Sequence, residues 1–267
     1  MLGRFLFSVD RKHRGIALAN LRTAFGPGEP ASQLRKIARR SFIQFGAIFS
    51  DIIKMAQLTA ERRDSLLTVQ GRENLTMALK EGKGALLFTA HLGNWEIAAG
   101  FVSKITRLGV VARALDNPLL EAELAELREG LGADIIYKKQ AAREILQRLR
   151  RNETIAILID QNVLRSEAVF VDFFGKQAAT TPSLAAFHLR TKAPILPVFC
   201  LPAPSGKYHL HILEPLRLPS EGDHEKDVLK ITQVCTKIIE GWIRKCPQSW
   251  FWFHNRWKSR PEDEKSD

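Results

Sequence analysis

The chain has 267 residues, 45% of them hydrophobic, and carries a net charge of +11. That length buries a substantial core, so a disordered or disulfide-stapled mini-protein is excluded, and a surface this basic favours nucleic acid, an anionic membrane, or an acidic protein or substrate as partner. No run of 18 apolar residues occurs, the start has no signal-peptide core with a small-residue cleavage site, and Cys200, Cys235 and Cys246 have neither metal-ligand nor CxxC spacing.

The charge is uneven: residues 1–60 hold 10 Lys+Arg against 3 Asp+Glu, which is +7 of the +11. Within them, residues 31–58 have the apolar period of a helix, through Leu34, Ile37, Phe42, Phe45, Ile48, Phe49 and Ile52. Arg35, Lys36, Arg39 and Arg40 cluster at its start. Two readings stand: a core helix with a solvated basic face, or a basic amphipathic element on an anionic bilayer.

From residue 68 the texture changes. Residues 85–90, 109–114, 133–137, 154–160, 194–201 and 208–214 read as strands, several of them continuously apolar as in strands covered on both faces. Helical patterns occupy 72–81, 94–107, 118–131, 139–151 and 180–192, and a last one spans 224–245 before an aromatic cluster at 249–258. This alternation predicts an α/β fold with a largely parallel central sheet and helices on both faces, preceded by an N-terminal amphipathic helical segment. The expected organisation is a helical, membrane-proximal segment at 1–60, an α/β domain at 61–258 continuous with it, and a flexible tail at 259–267.

In open α/β sheets ligands bind beyond the carboxyl ends of the strands. Two polar clusters fall at such ends: HLGNWE (91–96) after the first predicted strand and DQNV (160–163) after the fourth. His91 and Glu96 would stand about 140° apart on one continuous helix. Gly93 permits a tight turn instead and Asn94 is a good N-cap, so the helix is expected to begin at Trp95 with Glu96 in its first turn, bent back towards His91. A histidine in that position can take the proton of an attacking hydroxyl, and a carboxylate on its other nitrogen fixes the tautomer and stabilises the imidazolium. The chain has no HExxH zinc motif, no GxSxG elbow and no P-loop. With no nucleophile evident beside His91, the hydroxyl is expected to come from the substrate. A structural pairing of the two residues is the competing reading.

HLGNWE resembles the H-x4-D/E block of the glycerolipid acyltransferase superfamily, and in its Gly-Asn-Trp-Glu form the lipid A biosynthesis lauroyl/myristoyl acyltransferases. NLRTAFG (20–26), RALDNPLLEAELAELREGLG (113–132), DQN with VFVDFFGKQAATTPSLAAF (169–187), APILPVF (193–199) and PQSWFWFHNRWK (247–258) resemble further blocks of that family in order. The resemblance implies a glycerolipid acyltransferase-like fold and transfer of a fatty acyl chain from acyl carrier protein to a hydroxyl of a lipid A precursor or related glycolipid, without an acyl-enzyme. His91 then matches the general base and Glu96 its partner. Asn94, Arg113, Arg128, Asp160 and Gln161 are candidate substrate-binding residues, the two arginines as phosphate clamps. No metal or resident cofactor is expected beyond the acyl carrier protein co-substrate. The expected partners are that carrier protein, an anionic glycolipid and the membrane surface, with no nucleic acid.

Relatives usually begin with a membrane-spanning helix, whereas only LGRFLF precedes the Asn-Leu segment here. The expected location is therefore the cytoplasmic face of the bacterial inner membrane, peripheral or anchored by a segment outside this chain. A lysophospholipid, another glycolipid or a small hydroxyl acceptor, and a non-catalytic lipid- or carrier-binding module on the same scaffold, are the alternative functions. Trp250, Trp252 and Trp257 around His254 read as a core or interfacial aromatic cluster with His254 structural, and tryptophans at the membrane headgroup level are the sharper alternative.

Overall fold

The computed structural model describes residues 2–137, 141–218 and 221–262, apart from the side chain of Phe49. The predicted helix start at 139–140 and most of the predicted tail, 263–267, lie outside the described residues.

Seven strands form one sheet in the order β1-β9-β8-β2-β5-β3-β4, with β1 Leu67–Gln70, β2 Ala85–Thr89, β3 Leu108–Ala112, β4 Ala133–Tyr137, β5 Thr154–Leu158, β8 Ile195–Pro202 and β9 Tyr208–Ile212. Every pairing is parallel except β8 with β9. The sheet is thus largely parallel, as the alternation predicts. The period-2 geometry of a strand sends alternate side chains to opposite layers. From β2, Leu86 and Phe88 join one core with α8 (Ala141–Arg150), α9 (Ser183–Thr191) and α10 (His224–Lys245). Ala85 and Leu87 join the other, with α5 (Arg72–Leu79) and α6 (Trp95–Val102).

Three features differ from the sequence reading. Residues 2–25 form two helices, α1 Leu2–Val9 and α2 Arg11–Phe25, ahead of the predicted long helix, α3 Ala31–Gln57. A short helix, α4 Ala60–Ser65, leads into the edge strand β1. Residues 169–180 form an antiparallel hairpin, β6 Val169–Phe173 and β7 Lys176–Thr180, where the pattern suggests a connection and the start of a helix. Its two-residue turn places Phe174 at φ +58° and Gly175 at φ +75°, the left-handed pair that a tight hairpin requires. Buried Glu240 of α10 holds that turn by accepting from the Phe174 amide at 2.9 Å.

Candidate active site

β2 and β5 pair in parallel with Thr89 opposite Leu158. His91 and Asp160 each lie two residues beyond that pair, so register alone brings them level at the carboxyl edge of the sheet. The strand gives way to a turn at Gly93 (φ +69°) because the backbone passes the Cys200 carbonyl there. An added Cβ would stand 2.0 Å from that oxygen. Asn94 then caps α6, its side-chain oxygen accepting from the Ile97 amide at 3.2 Å. The predicted Gly turn, Asn cap and helix start at Trp95 are all present.

The C-terminal segment runs alongside this turn. The Gly93 amide donates to the Ser249 carbonyl at 2.9 Å and the Phe251 amide to the His91 carbonyl at 3.0 Å. The His91 carbonyl and the turn that follows it are therefore both tied to this segment.

Its imidazole is held by Asp160 and not by Glu96. Nδ1 of His91 lies 2.8 Å from Asp160 Oδ1, while the His91 amide donates to Oδ2 at 2.9 Å. The Trp250 indole donates to the same Oδ2 at 2.7 Å. Asp160 is buried, which works to raise its pKa. The neighbouring His91 and the three hydrogen bonds outweigh burial and hold the carboxyl below the usual carboxylate range. With Nδ1 committed to Asp160, Nε2 is the available nitrogen, and its neighbour is the Gln161 side-chain nitrogen at 3.2 Å. Trp95 and Phe251 flank the ring at centroid distances of 4.8 and 5.9 Å.

Glu96 faces the other way. In the first turn of α6 it meets Arg128 of α7 (Pro118–Gly130), with Nε to Oε2 at 3.0 Å and Nη2 to Oε1 at 2.5 Å. Burial works to lower the Arg128 pKa, but its bonds to Glu96 raise it overall, so the guanidinium stays charged. This fork corrects the expectation that Glu96 holds the imidazole. Glu96 does not touch the imidazole and reaches it only through Trp95, whose indole donates to Glu96 Oε1 at 3.0 Å. Arg128 is half-buried, with Nε and Nη2 both committed to Glu96. Asn94, expected to bind substrate, is fully buried with its side-chain oxygen occupied as the helix cap. Asp160 stands behind the imidazole, where it orients a side chain, whereas Gln161 sits beside the free nitrogen. Arg113 is exposed and pairs with Asp116 at 2.9 Å.

A groove of about 870 Å³ lies next to the dyad: Phe251, which flanks the imidazole, and Asn162 line it together with Arg113, whereas His91 and Asp160 themselves do not. Phe42, Phe45, Phe251 and Phe253 form an apolar side, and Lys12, Asn162 and Lys258 add polar groups. His254 lines it too, accepting the Asn162 amide on Nε2 at 2.9 Å. Burial pushes the His254 imidazole down to about 4, against a weaker upward pull from Asp160, so it is neutral near pH 7 and serves the structural role expected of it. Sequence reasoning missed Trp250 as the third holder of Asp160, having read it only as part of an aromatic cluster. It also missed Asn20, which donates to the carbonyls of Trp252 and His254 at 2.7 Å each. Their presence in the matched NLRTAFG and PQSWFWFHNRWK stretches was the available signal.

Comparison with known proteins points the same way. The chain is 24% identical to a lipid A biosynthesis acyltransferase of Haemophilus influenzae, over 98% of this chain and 81% of that protein. It is 27% identical to a phosphatidylinositol mannoside acyltransferase of Mycolicibacterium smegmatis, over 88% and 77% of the two chains. It is 26% identical to the lipid A biosynthesis lauroyltransferase of Escherichia coli, over 98% and 84%. Residues 1–259 match the family described as bacterial lipid A biosynthesis acyltransferase, and the chain belongs to that family of lipid A and glycolipid acyltransferases.

Proposed function

We propose that the protein moves a fatty acyl chain from an acyl carrier protein thioester to a hydroxyl of a lipid A precursor or related glycolipid, with His91 as general base and Asp160 as its partner. The observation that carries this reading is an imidazole held at Nδ1 by a buried, ionised carboxylate, with Nε2 met by the Gln161 side-chain nitrogen at 3.2 Å and with the flanking Phe251 ring on the wall of an open groove. The acceptor O–H gives its proton to Nε2 as its oxygen attacks the thioester carbonyl. The C–O bond forms, the C–S bond breaks, and the thiolate departs with the proton returned by the imidazolium. Asp160 stabilises that imidazolium, and base catalysis of this kind contributes roughly 10²–10⁴ in rate. Gln161, at the proton-accepting nitrogen, orients the incoming hydroxyl. Glu96 and Arg128 contribute by holding Trp95 and α6 in place.

The groove suits a glycolipid head, with aromatic rings for sugar faces and Lys12, Arg113 and Lys258 for anionic groups. Relatives named for lipid A and for phosphatidylinositol mannoside support an acceptor that is a glycolipid in the broad sense. A basic surface also fits an acidic carrier protein. Among the described residues no helix is long and apolar enough to cross a membrane. Attachment at the inner-membrane surface is supported by α1, which exposes Leu2, Phe5 and Val9 (56, 63 and 54%) along one stripe while Gly3 and Phe7 face inward. Exposed Arg4, Arg11, Arg35 and Arg39 lie on α1, α2 and α3.

The test is purified protein with an acyl carrier protein thioester and a glycolipid acceptor, read by mass spectrometry of the lipid product. Acylated acceptor with wild type and none with His91→Ala is expected. Equal turnover by His91→Ala, or binding of both substrates without turnover by wild type, would overturn the catalytic reading.

A further inference from the structure

Behind the dyad lies a buried charge with no part in the scheme above. Arg256 is 0% exposed. Its guanidinium reaches into the β6–β7 hairpin, donating from Nη1 to the Ala179 carbonyl and from Nη2 to the Thr180 hydroxyl, each at 2.5 Å. It lies over the Phe173 ring, 5.2 Å from the centroid, and its Nε–H has no acceptor. Among the described residues none of the ion pairs includes it. Both partners are neutral, so the cation is desolvated without a counterion in contact, an arrangement that is costly unless a fixed opposite charge stands nearby.

Asp160 supplies that charge. Phe173 packs against both Arg256 and Trp250, the latter at a centroid distance of 5.6 Å, and Trp250 donates to Asp160. The guanidinium and the carboxylate are thus linked through two packed aromatic side chains, Phe173 and Trp250. Burial pushes Arg256 down to about 10, and the Asp160 carboxylate works against that burial.

We infer that Arg256 is a positioning residue for the His91–Asp160 pair: a fixed buried positive charge that favours an ionised Asp160 beside a neutral His91. With neutral His91, the charges of Asp160 and Arg256 cancel. A proton on His91 leaves the buried cluster with a net positive charge, and Arg256 makes that state less favourable. The other groups around the dyad do not duplicate this role. His254 is neutral, and Glu96 and Arg128 neutralise each other beyond Trp95. Across the groove, His13 is paired with Asp10, and Lys258 is exposed to solvent. At an effective dielectric of about 20, a unit charge moves a titration by about one pH unit when it acts over a distance on the order of 10 Å.

The inference rests on His91 and Asp160 acting together, but its readout needs no turnover. In protein labelled with ¹³C at the histidine rings, the dyad's titration is followed by NMR through the signal that disappears in His91→Asn. Arg256→Met, or Arg256→Gln as a second neutral variant, is expected to raise the midpoint by about one pH unit. Arg256→Lys keeps the charge, and Thr180→Val removes one bond with the charge intact; both are expected to keep the wild-type midpoint. An unchanged midpoint in a neutral variant, or the same rise in Thr180→Val or Arg256→Lys, would show that Arg256 merely pins the C-terminal segment to the hairpin. Should the neutral variants not fold, a midpoint in Arg256→Lys that rises by a unit still overturns the inference. A shifted midpoint in a protein whose wild type transfers no acyl chain would count against the proposed function and leave the electrostatic role standing.

Discussion

Replacing Asp160 by Asn separates the carboxylate's charge from its shape. Asp160 Oδ2 accepts two N–H donors, from the His91 backbone and Trp250, and Oδ1 meets His91 Nδ1. An asparagine oxygen satisfies the two donors in the Oδ2 position, which turns the amide NH2 towards Nδ1. Nδ1 must then be the acceptor, and the imidazole proton moves to Nε2, the atom that has to receive the substrate's proton. The variant combines the wrong tautomer with a lost counter-charge for the imidazolium. In the serine protease template the same substitution costs about 10⁴ in kcat, so a loss of about 10³–10⁴, equivalent to about 4–5.5 kcal/mol of barrier, is expected here. All three hydrogen bonds persist, the one at Nδ1 with its direction reversed, and the volume is unchanged, so the protein is expected to stay folded. KM for acceptor and donor should change little, since the defect lies in the chemical step. The assay is steady-state and single-turnover acyl transfer from the carrier protein thioester, with circular dichroism to verify folding. A folded Asp160→Asn protein within tenfold of wild-type kcat would refute the assignment of Asp160 as the partner of His91.

Three further outcomes follow from the same geometry. Glu96→Ala or Arg128→Ala alone leaves one charge buried and is expected to cost about 3–5 kcal/mol in urea unfolding, whereas replacing both with leucine recovers most of it; an additive double variant contradicts the closed-pair reading. Gly93→Ala forces a Cβ to 2.0 Å from the Cys200 carbonyl at φ +69°, and a loss of about 2–4 kcal/mol is expected, so thermal unfolding within 2 °C of wild type, roughly 1 kcal/mol or less, would be inconsistent with the turn described. Folding lowers the His254 pKa from its ordinary 6.5 to about 4, so the unfolded chain binds the extra proton: stability is fully present above about pH 6.5 and declines by about 3 kcal/mol as pH falls to about 4. His254→Gln should flatten that slope between pH 6.5 and 4, and an unchanged slope would remove His254 as its source.

The sheet was legible because its strands are continuous apolar runs, and β4 and α10 fall on the predicted residues. The β6–β7 hairpin was not, because its turn is Phe174-Gly175, and a phenylalanine in the left-handed region carries none of the usual turn chemistry. His91 could be found from an apolar run that stops at an ionisable residue. The identity of its partner could not. It depends on β2 pairing with β5, a neighbour relation between strands with two other strands between them in the chain. The start of α6 was read correctly, yet the direction of Glu96 is decided by Arg128, 32 residues away on another helix. Local spacing locates a turn and a cap, but which carboxylate faces the imidazole is a tertiary fact.

The same tertiary dependence explains why stretches at opposite ends of the chain belong to one site. Asn20 of α2 holds the carbonyls of Trp252 and His254, and the Ser41 hydroxyl of α3 donates to the Trp250 carbonyl. Phe42 and Phe45 of α3 stack against Phe253 and Phe251. The C-terminal segment cannot take its path without these helices, and that path carries the Trp250 indole to Asp160, the Phe251 amide to the His91 carbonyl and His254 to the Asn162 amide. A defect in α2 or α3 should therefore reach the dyad through the C-terminal segment. The HLGNWE turn mounts the imidazole. Whether that imidazole is held as a base depends on the N-terminal helices and the last aromatic residues closing over it together.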